Sequence, residues 1–437
     1  MNARLCVVGA GRSGAVTAAC LAELGHTVCA VDVDASHVAK LSEGRASFYE
    51  PGLDEIIVRN LETGRLSFTT AFAEGVPNAE CVLLCVDTPP ARNGESNLSS
   101  VFAAVGELAP LLADGAIVIT RSTVPVGTNA AIAEAISKAS VRSSFDVASN
   151  PEFLREGHAV QDFMNPERIV IGARSRRAAE RTAALYVKLD ATILQTDLET
   201  AELIKYATNA YLAASVSFIN EIANICQRTG ADVSVVAEAL ALDRRIGPEA
   251  YVRAGIGFGG SCLPKDLLAL ISTSERYGYK PRLLKAVSKV NEQQPGRVVA
   301  RLEEIFPDLA GLTVAVLGLS FKGDVFDCRN SPALALIRAL SERGAKVRAF
   351  DPMADETAAG QVSNLAELRP DAYAAAEGAQ AVIVATDHSA FGELDLARLG
   401  RAMKKRVLID GRNLFDPVRA SAAGFSYIGI GRPPRGE

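Results

Sequence analysis

The side chain in this sequence best placed for covalent chemistry is Cys262, set in the run GFGGSCLPKD (Gly257–Asp266). Pro264 suits the first turn of a helix, so the spacing predicts Cys262 near a helix N-terminus and beside Lys265. Both features lower a thiol's pKa and favour the nucleophilic thiolate. Asp266 follows about one turn on, within reach of a proton near that sulfur if the turn extends back to Cys262. A second polar segment, NPEFLREG (Asn150–Gly157), sets Glu152 and Glu156 beside Arg155, and a third pairs Lys205 with Asn209 on one helix face. Each has a plainer reading. A lone cysteine is usually core filler, Glu152 and Arg155 fit a surface ion pair, and Lys205 and Asn209 fit the solvated stripe of a helix. The glycines, serine and Pro-Lys-Asp run around Cys262 suit a core poorly.

A cofactor site is legible at the other end of the chain. Leu5–Val8 reads as a buried strand, GAGRSG (Gly9–Gly14) as a turn, and Ala15–Leu24 as a helix with Gly25 as its stop. Val28–Val31 is a second strand ending in Asp32. Gly9, Gly11 and Gly14 permit close approach of backbone to a pyrophosphate, which the helix N-terminus favours. Asp32 can accept hydrogen bonds from ribose hydroxyls and would repel a 2′-phosphate, so NAD is favoured over NADP. The plainer reading is a glycine turn that only connects strand to helix. Together with the cysteine, these residues point to an NAD enzyme working at the aldehyde level through a covalent step.

The elements that must position these groups alternate. Further strands are expected at Cys81–Val86, Ala116–Thr120 and Arg168–Ile171, which implies a mostly parallel sheet covered on both faces. From Ala201 to Arg228 there is no glycine or proline. Leu203, Ile204, Ala207, Tyr211, Ala214, Phe218, Ile222 and Ile225 follow a helical repeat there, as in a long helix that joins domains or forms a subunit interface. The C-terminal third repeats the opening theme: strand Leu312–Leu317, turn Gly318–Lys322, helix Ser331–Arg343 stopped by Gly344, and strand Val347–Phe350 ending in Asp351. Ala381–Thr386 and Arg406–Asp410 follow as strands, and the tail GRPPRGE is expected to fray. The fold class is α/β, with two Rossmann-like doubly wound domains joined by a long central helix and a helical dimerisation region. The expected divisions are an NAD-binding domain at 1–200, a central helical domain with the cysteine loop at 201–300, and a second nucleotide-binding-type domain at 301–437.

A chain of 437 residues can bury a full core and suggests about three units at roughly 150 residues each. Hydrophobic residues at 49% and charged residues at 22% exclude disorder as the main state. A net charge of −5 argues against a nucleic-acid groove. No apolar run is long enough to span a membrane, and the N-terminus does not read as a signal peptide. The eight cysteines lack the close-set pairs of a zinc or redox centre, so a reduced cytoplasmic protein is expected.

At these residues the chain resembles the UDP-glucose/GDP-mannose dehydrogenase family, the nucleotide-sugar 6-dehydrogenases. The resemblance runs almost end to end, through GAGRSG, YEPGL (Tyr49–Leu53), VDTPP (Val86–Pro90), STVPVG (Ser122–Gly127), NPEFLREG, AELIKYATNAYLA (Ala201–Ala213), GFGGSCLPKD and SFKGDVFDCRNSP (Ser320–Pro332). It implies a metal-free oxidation of a sugar's primary alcohol to the acid with two NAD, and a dimer or higher homo-oligomer. By position, it assigns Cys262 as the nucleophile forming thiohemiacetal and thioester, Lys205 and Asn209 as oxyanion stabilisers, and Asp266 as the proton-transfer group. Glu152 and Thr123 are implied to hold the catalytic water. Cofactor contacts are implied for Gly9, Gly11, Gly14, Asp32, Thr88, Thr123, Glu156, Lys265 and Arg329. Sugar-nucleotide contacts are implied for Glu152, Phe153, Leu154, Arg155, Lys205, Asn209 and Tyr251, for the glycine loop Arg253–Gly259 with Gly257, Phe258 and Gly259, and for Phe321, Lys322 and Arg412, with 301–437 as the sugar-nucleotide-binding domain. Arg245 resembles an arginine that acts in the neighbouring subunit.

Three positions depart from the family pattern. His37 stands where a basic residue often follows the ribose acid, Phe326 replaces an acid, and Asn330 replaces a glutamate. The stretch from Arg245 to Cys262 is close to the UDP-glucose branch, which implies UDP-glucose to UDP-glucuronate. A dTDP-glucose or GDP-mannose enzyme shares the cysteine loop, and the acetamido-sugar branch ranks low because it typically lacks the phenylalanine and lysine of this loop. From other classes, a non-catalytic sugar-nucleotide-binding protein and a one-step alcohol dehydrogenase on the same fold stand as alternatives.

Overall fold

Alternating buried strands and helices build one mostly parallel and one wholly parallel sheet. The computed structural model describes residues 2–139, 144–353 and 360–433. It divides into two units, Met1–Thr208 with Ser272–Tyr277, and Asn209–Ile271 with Gly278–Glu437.

The first unit holds eight strands: β1 (Arg4–Val8), β2 (Thr27–Val31), β3 (Leu66–Thr69), β4 (Cys81–Leu84), β5 (Ala116–Thr120), β6 (Phe145–Ser149), β7 (Arg168–Ala173) and β8 (Thr192–Thr196). Their order is β3-β2-β1-β4-β5-β6-β7-β8. Every pairing is parallel except β6 with β7. β4 and β5 are buried at every residue, because helices cover both faces of a parallel sheet. The helix Arg12–Glu23 lies against this sheet through Ala15, Ala18, Ala19 and Ala22, whose small side chains permit close approach.

The second unit carries six parallel strands: β9 (Thr313–Leu317), β10 (Lys346–Phe350), β11 (Glu367–Leu368), β12 (Ala381–Val384), β13 (Val407–Asp410) and β14 (Ser426–Gly429). The order is β11-β10-β9-β12-β13-β14. Ser331 caps the helix Pro332–Glu342 by accepting from Ala333 N, with Pro332 at its first position.

The expected strands are present with ends shifted by a residue or two. Those that sequence reading passed over are β3, β6, β8, β11 and β14, which are short, polar or at an edge. The long helix runs Leu198–Thr229, ~48 Å at 1.5 Å per residue. Asp197 starts it, accepting from Thr200 N at 2.7 Å, and Gly230 at φ 78° ends it. Its buried face differs from the expected one. Tyr206, Ala210, Ala213, Ile219, Ala223 and Cys226 are buried, whereas Leu203, Tyr211, Phe218 and Ile225 are exposed. The apolar periodicity thus mixed a packed face with a second, unburied stripe. The expected fraying of GRPPRGE fails at its start. Gly431 O accepts from Val233 N at 2.9 Å, and Arg432 Nε donates to Ser234 Oγ at 2.6 Å. Residues 434–437 lie outside the described residues.

Candidate active site

In the first unit, the glycine turn leaves a cradle. Gly9 sits at φ 90°, and a Cβ there would come within 2.9 Å of the Cys85 backbone. A Cβ on Gly14 would lie 1.8 Å from Gly9 O, whereas Gly11 faces open space. Asp32 is half-buried at the tip of β2, its Oδ2 accepting from Ala10 N at 2.7 Å and its Oδ1 from Asp34 N at 3.0 Å. His37 braces the same turn, with Nε2 2.7 Å from Ala10 O and Nδ1 3.0 Å from Ser47 Oγ. Open backbone at a helix start beside a carboxylate fits a dinucleotide.

The loop 150–157 is pinned at several points. Asn150 N donates to Thr120 O at 2.8 Å, and buried Arg121 donates to Asn150 Oδ1 at 2.7 Å and to Tyr186 OH at 2.9 Å. Glu50, from the YEPGL run, accepts from Gly157 N at 2.9 Å and Ala159 N at 2.6 Å. The surface pair of Glu152 with Arg155 is not formed. Arg155 instead pairs with Asp162 at 2.7 Å, while Glu152 accepts from Leu154 N at 2.7 Å and from Lys205 Nζ at 3.4 Å. Lys205 also lies 5.3 Å from the Phe153 ring centroid. At 4% and 6% exposure, Lys205 and Asn209 are no solvated stripe. Thr88 Oγ1 donates to Thr123 O at 2.8 Å, and Glu156 pairs with Arg12.

In the second unit, Cys262 directly precedes the helix Leu263–Arg276, with Pro264 in its first turn. The turn does extend back, because Asp266 N donates to Cys262 O at 2.8 Å. Cys262 alone among the eight cysteines is exposed, all eight being described residues. Burial pushes the thiols of Cys20 and Cys85 up to about 12 and that of Cys81 to about 11, so these are packing groups. Asp266 is fully buried and doubly held, by Asn209 Nδ2 on Oδ2 and Lys265 Nζ on Oδ1, each at 2.6 Å.

The glycine loop before Cys262 is fixed by Asn220 and Asn291, which sequence reading did not single out, and by Arg329 and Asn330, which it did. Asn220 Oδ1 accepts from Gly255 N at 2.8 Å, and Asn291 makes a two-way bridge to Phe258 N at 2.8 Å and Phe258 O at 3.0 Å. Gly260 N donates to Arg329 O at 2.9 Å, and Asn330 Nδ2 returns to Gly260 O at 3.1 Å. Asn330 adopts φ 50°, a left-handed conformation in which asparagine is favoured, and this gives the departure there a physical reason. Arg412 Nε donates to Ala385 O at 2.9 Å and its Nη2 to Phe321 O at 3.1 Å, bracing the turn that presents Phe321 and Lys322.

Three expected site residues are engaged elsewhere or exposed. Arg329 clamps Asp327 at 2.5 Å, Arg245 is exposed with Asp243 at 2.6 Å, and Tyr251 is exposed. Phe326 is exposed as well. Among the described residues, no group of three or more His, Cys, Asp or Glu could hold a metal ion, and no helix is long and apolar enough to cross a membrane.

Residues 3–190 match the NAD binding domain of the UDP-glucose/GDP-mannose dehydrogenase family, 199–293 its central domain, and 315–417 its UDP binding domain. The chain is 42% identical to UDP-glucose 6-dehydrogenase TuaD of Bacillus subtilis, over 98% of this chain and 93% of that protein. It is 41% identical to UDP-glucose 6-dehydrogenase of Pseudomonas aeruginosa, over 99% and 98%. Among solved structures, a UDP-glucose dehydrogenase from Pyrobaculum islandicum superposes with TM-score 0.93 at 40% identity, over 99% and 98% of the two chains.

Proposed function

The chain belongs to the UDP-glucose/GDP-mannose dehydrogenase family, and from that membership we propose that it oxidises UDP-glucose at carbon 6 to UDP-glucuronate. It is an NAD-dependent nucleotide-sugar 6-dehydrogenase. One observation carries the substrate and the route: an exposed thiol at a helix start, one turn from a doubly held carboxylate, in a chain about 40% identical to UDP-glucose 6-dehydrogenases over nearly its whole length.

NAD, when bound, accepts one hydride at each of the two oxidations. Gly9 and Gly14 let the turn close against the Cys85 backbone and on itself, and Gly11 leaves room for a pyrophosphate; Asp32 would meet the ribose, and Thr88, Thr123, Glu156 and Lys265 would complete the contacts. Arg329, whose Nε and Nη2 hold Asp327, is expected to join them. Loss of the hydroxyl proton to water together with the first hydride turns the alcohol into an aldehyde. The Cys262 sulfur adds to that carbon and gives a thiohemiacetal, and loss of a second hydride gives the thioester. Water attacks the thioester, the C–S bond breaks, and the acid leaves with the thiolate restored. Lys205 Nζ and Asn209 Nδ2 donate to the oxygen on which negative charge develops. Asp266, held on both oxygens, exchanges the proton of the sulfur or the attacking water, and Glu152 and Thr123 hold that water.

Phe153–Arg155, Tyr251, Gly257–Gly259, Phe321, Lys322 and Arg412 hold the sugar nucleotide, with Arg245 supplied by a second copy. Exposed Tyr211, Phe218 and Ile225, each seven residues apart along the long helix, support pairing of two copies through that stripe. Light scattering should give at least twice the mass of one chain; monomeric mass in the active enzyme would contradict this. The eight cysteines support a cytoplasmic setting, where thiols stay reduced. The function is tested with UDP-glucose, dTDP-glucose and GDP-mannose, each with NAD. Two NADH per UDP-glucose are expected, one NADH with free aldehyde would favour a simple alcohol dehydrogenase, and no turnover of UDP-glucose would refute the substrate.

A further inference from the structure

Glu202 is 2% exposed and stands one turn before Lys205 on the long helix. Three N–H groups converge on its carboxylate. Gly127 N donates to Oε2 at 2.6 Å, while Asn129 N and Asn129 Nδ2 donate to Oε1 at 2.7 and 2.8 Å. Gly127 and Asn129 flank the start of the helix Thr128–Ala139, whose first N–H groups lack partners within that helix. A carboxylate is favoured at such an end by the helix dipole. Burial raises the Glu202 carboxyl above its ordinary value, and the hydrogen bonds from Asn129 and Gly127 oppose that.

Gly127 also closes the turn Ser122–Gly127. At its near end, Ser122 Oγ donates to Val86 O at 2.6 Å and Thr88 Oγ1 to Thr123 O at 2.8 Å. At its far end, Glu202 ties it to the helix that carries Lys205, and Lys205 reaches Glu152 at 3.4 Å.

We propose that Glu202 is a positioning residue for thioester hydrolysis, holding the Thr123 turn in register with Lys205 and Glu152. This rests on the proposed function, in which Thr123 and Glu152 hold the attacking water. Glu202→Gln places an NH2 group where one oxygen now faces an N–H donor, so one end of the turn loses its anchor. The step that suffers most is water attack; NAD also touches Thr123 but is held by the glycine turn and Asp32 as well, so hydride removal persists at saturating NAD.

The experiment is rapid-quench kinetics with UDP-glucose and NAD, read by NADH release and by intact mass, on wild type, Glu202→Gln, Glu202→Asp and Asn129→Ala. In Glu202→Gln the early NADH burst persists, steady-state turnover falls about 10- to 100-fold, and a sugar adduct accumulates on Cys262. Its kcat/KM for UDP-glucose stays within about threefold of wild type, so that KM falls along with turnover as the adduct accumulates. Glu202→Asp keeps the carboxylate and recovers part of the turnover. Asn129→Ala removes the Nδ2 donor alone and shows a weaker shift in the same direction, which covers the case in which Glu202→Gln fails to fold. Wild-type rates without adduct in the glutamine variant would overturn the proposal, as would equal losses in burst and steady state. No NADH from wild type would refute the substrate reading and this inference with it, whereas normal wild-type turnover isolates the test to Glu202.

Discussion

The molecule uses one local device twice, a strand, a glycine turn and an acid at the end of the next strand. In the first unit Gly9 N donates to Val31 O at 2.8 Å, with φ 90°; in the second Gly318 N donates to Phe350 O at 2.7 Å, with φ 99°. Both acids accept backbone N–H groups of their turn, Asp32 from Ala10 at 2.7 Å, and Asp351 from Leu319 at 2.6 Å and Ser320 at 2.9 Å. They differ in what else reaches them. Asp32 is half-buried beside open backbone at Gly11. Asp351 is buried and saturated, by His388 Nε2 at 3.0 Å and Ser320 Oγ at 3.0 Å. His388 Nδ1 in turn accepts from Asp324 N at 2.8 Å, which ties down the turn carrying Phe321 and Lys322. The same backbone pattern therefore leaves a ligand cradle in one sheet and an internal brace in the other. A strand-end acid is a ribose site only where no side chain of the protein has already taken its oxygens.

The comparison is broken most severely at Asp351. Asp351→Ala strips a buried histidine and the backbone N–H groups of Leu319, Ser320 and Met353 of their acceptor and should cost about 3 kcal/mol of stability. Urea unfolding should show that loss while NAD affinity, by calorimetry, changes little. An unchanged midpoint would mean the brace does not exist.

Asp32→Ala should behave in the opposite way. Loss of charged hydrogen bonds to ribose should weaken NAD binding about 10- to 100-fold, roughly 2 kcal/mol. Equal affinity in variant and wild type would remove Asp32 from the site.

Acid sharpens the same contrast. Burial alone would raise the Asp351 carboxyl, but hydrogen bonds from His388, Leu319 and Ser320 outweigh it and hold the pKa at about 2, below the ordinary 3.8. A carboxylate depressed in the folded state stabilises fully above pH ~4 and loses that contribution as pH falls towards ~2. The loss is roughly 2 kcal/mol for wild type and should vanish in Asp351→Asn. Parallel acid-unfolding curves for the two proteins would contradict it.

The smallest effect is expected at Asn330. Asn330→Ala puts alanine at φ 50° and deletes the bond to Gly260 O, at about 1–2 kcal/mol. Asn330→Gly should recover the backbone part but not the hydrogen bond. Identical stability of the alanine and glycine variants would show that the conformation carries no strain.

Much of this was legible because it is local. Apolar runs such as CVLL and AIVIT declare buried strands, glycine turns announce themselves by position, and Pro264 fixes a helix start beside Cys262. What escaped were partners brought in from far along the chain. Glu50 meets Gly157, Glu202 meets Gly127, and His388 meets Asp351, and no periodicity encodes such pairings. Arg155 illustrates the same limit, since its neighbour Glu152 is nearer in sequence but Asp162 takes its guanidinium. On the long helix, apolar residues occupy both a packed face and an exposed stripe, so spacing alone could not assign the buried side.

The covalent role of Cys262 is tested most directly by intact-mass spectrometry of enzyme quenched during turnover of UDP-glucose with NAD. Glu152→Gln is used to slow hydrolysis, with Glu152→Gln/Cys262→Ser beside it. A sugar-nucleotide adduct that maps to Cys262 in Glu152→Gln and is absent from the serine variant is the predicted result. No adduct in either protein, with Cys262→Ser alone turning over at the wild-type rate, would contradict the thioester route and leave Cys262 with no part in the chemistry.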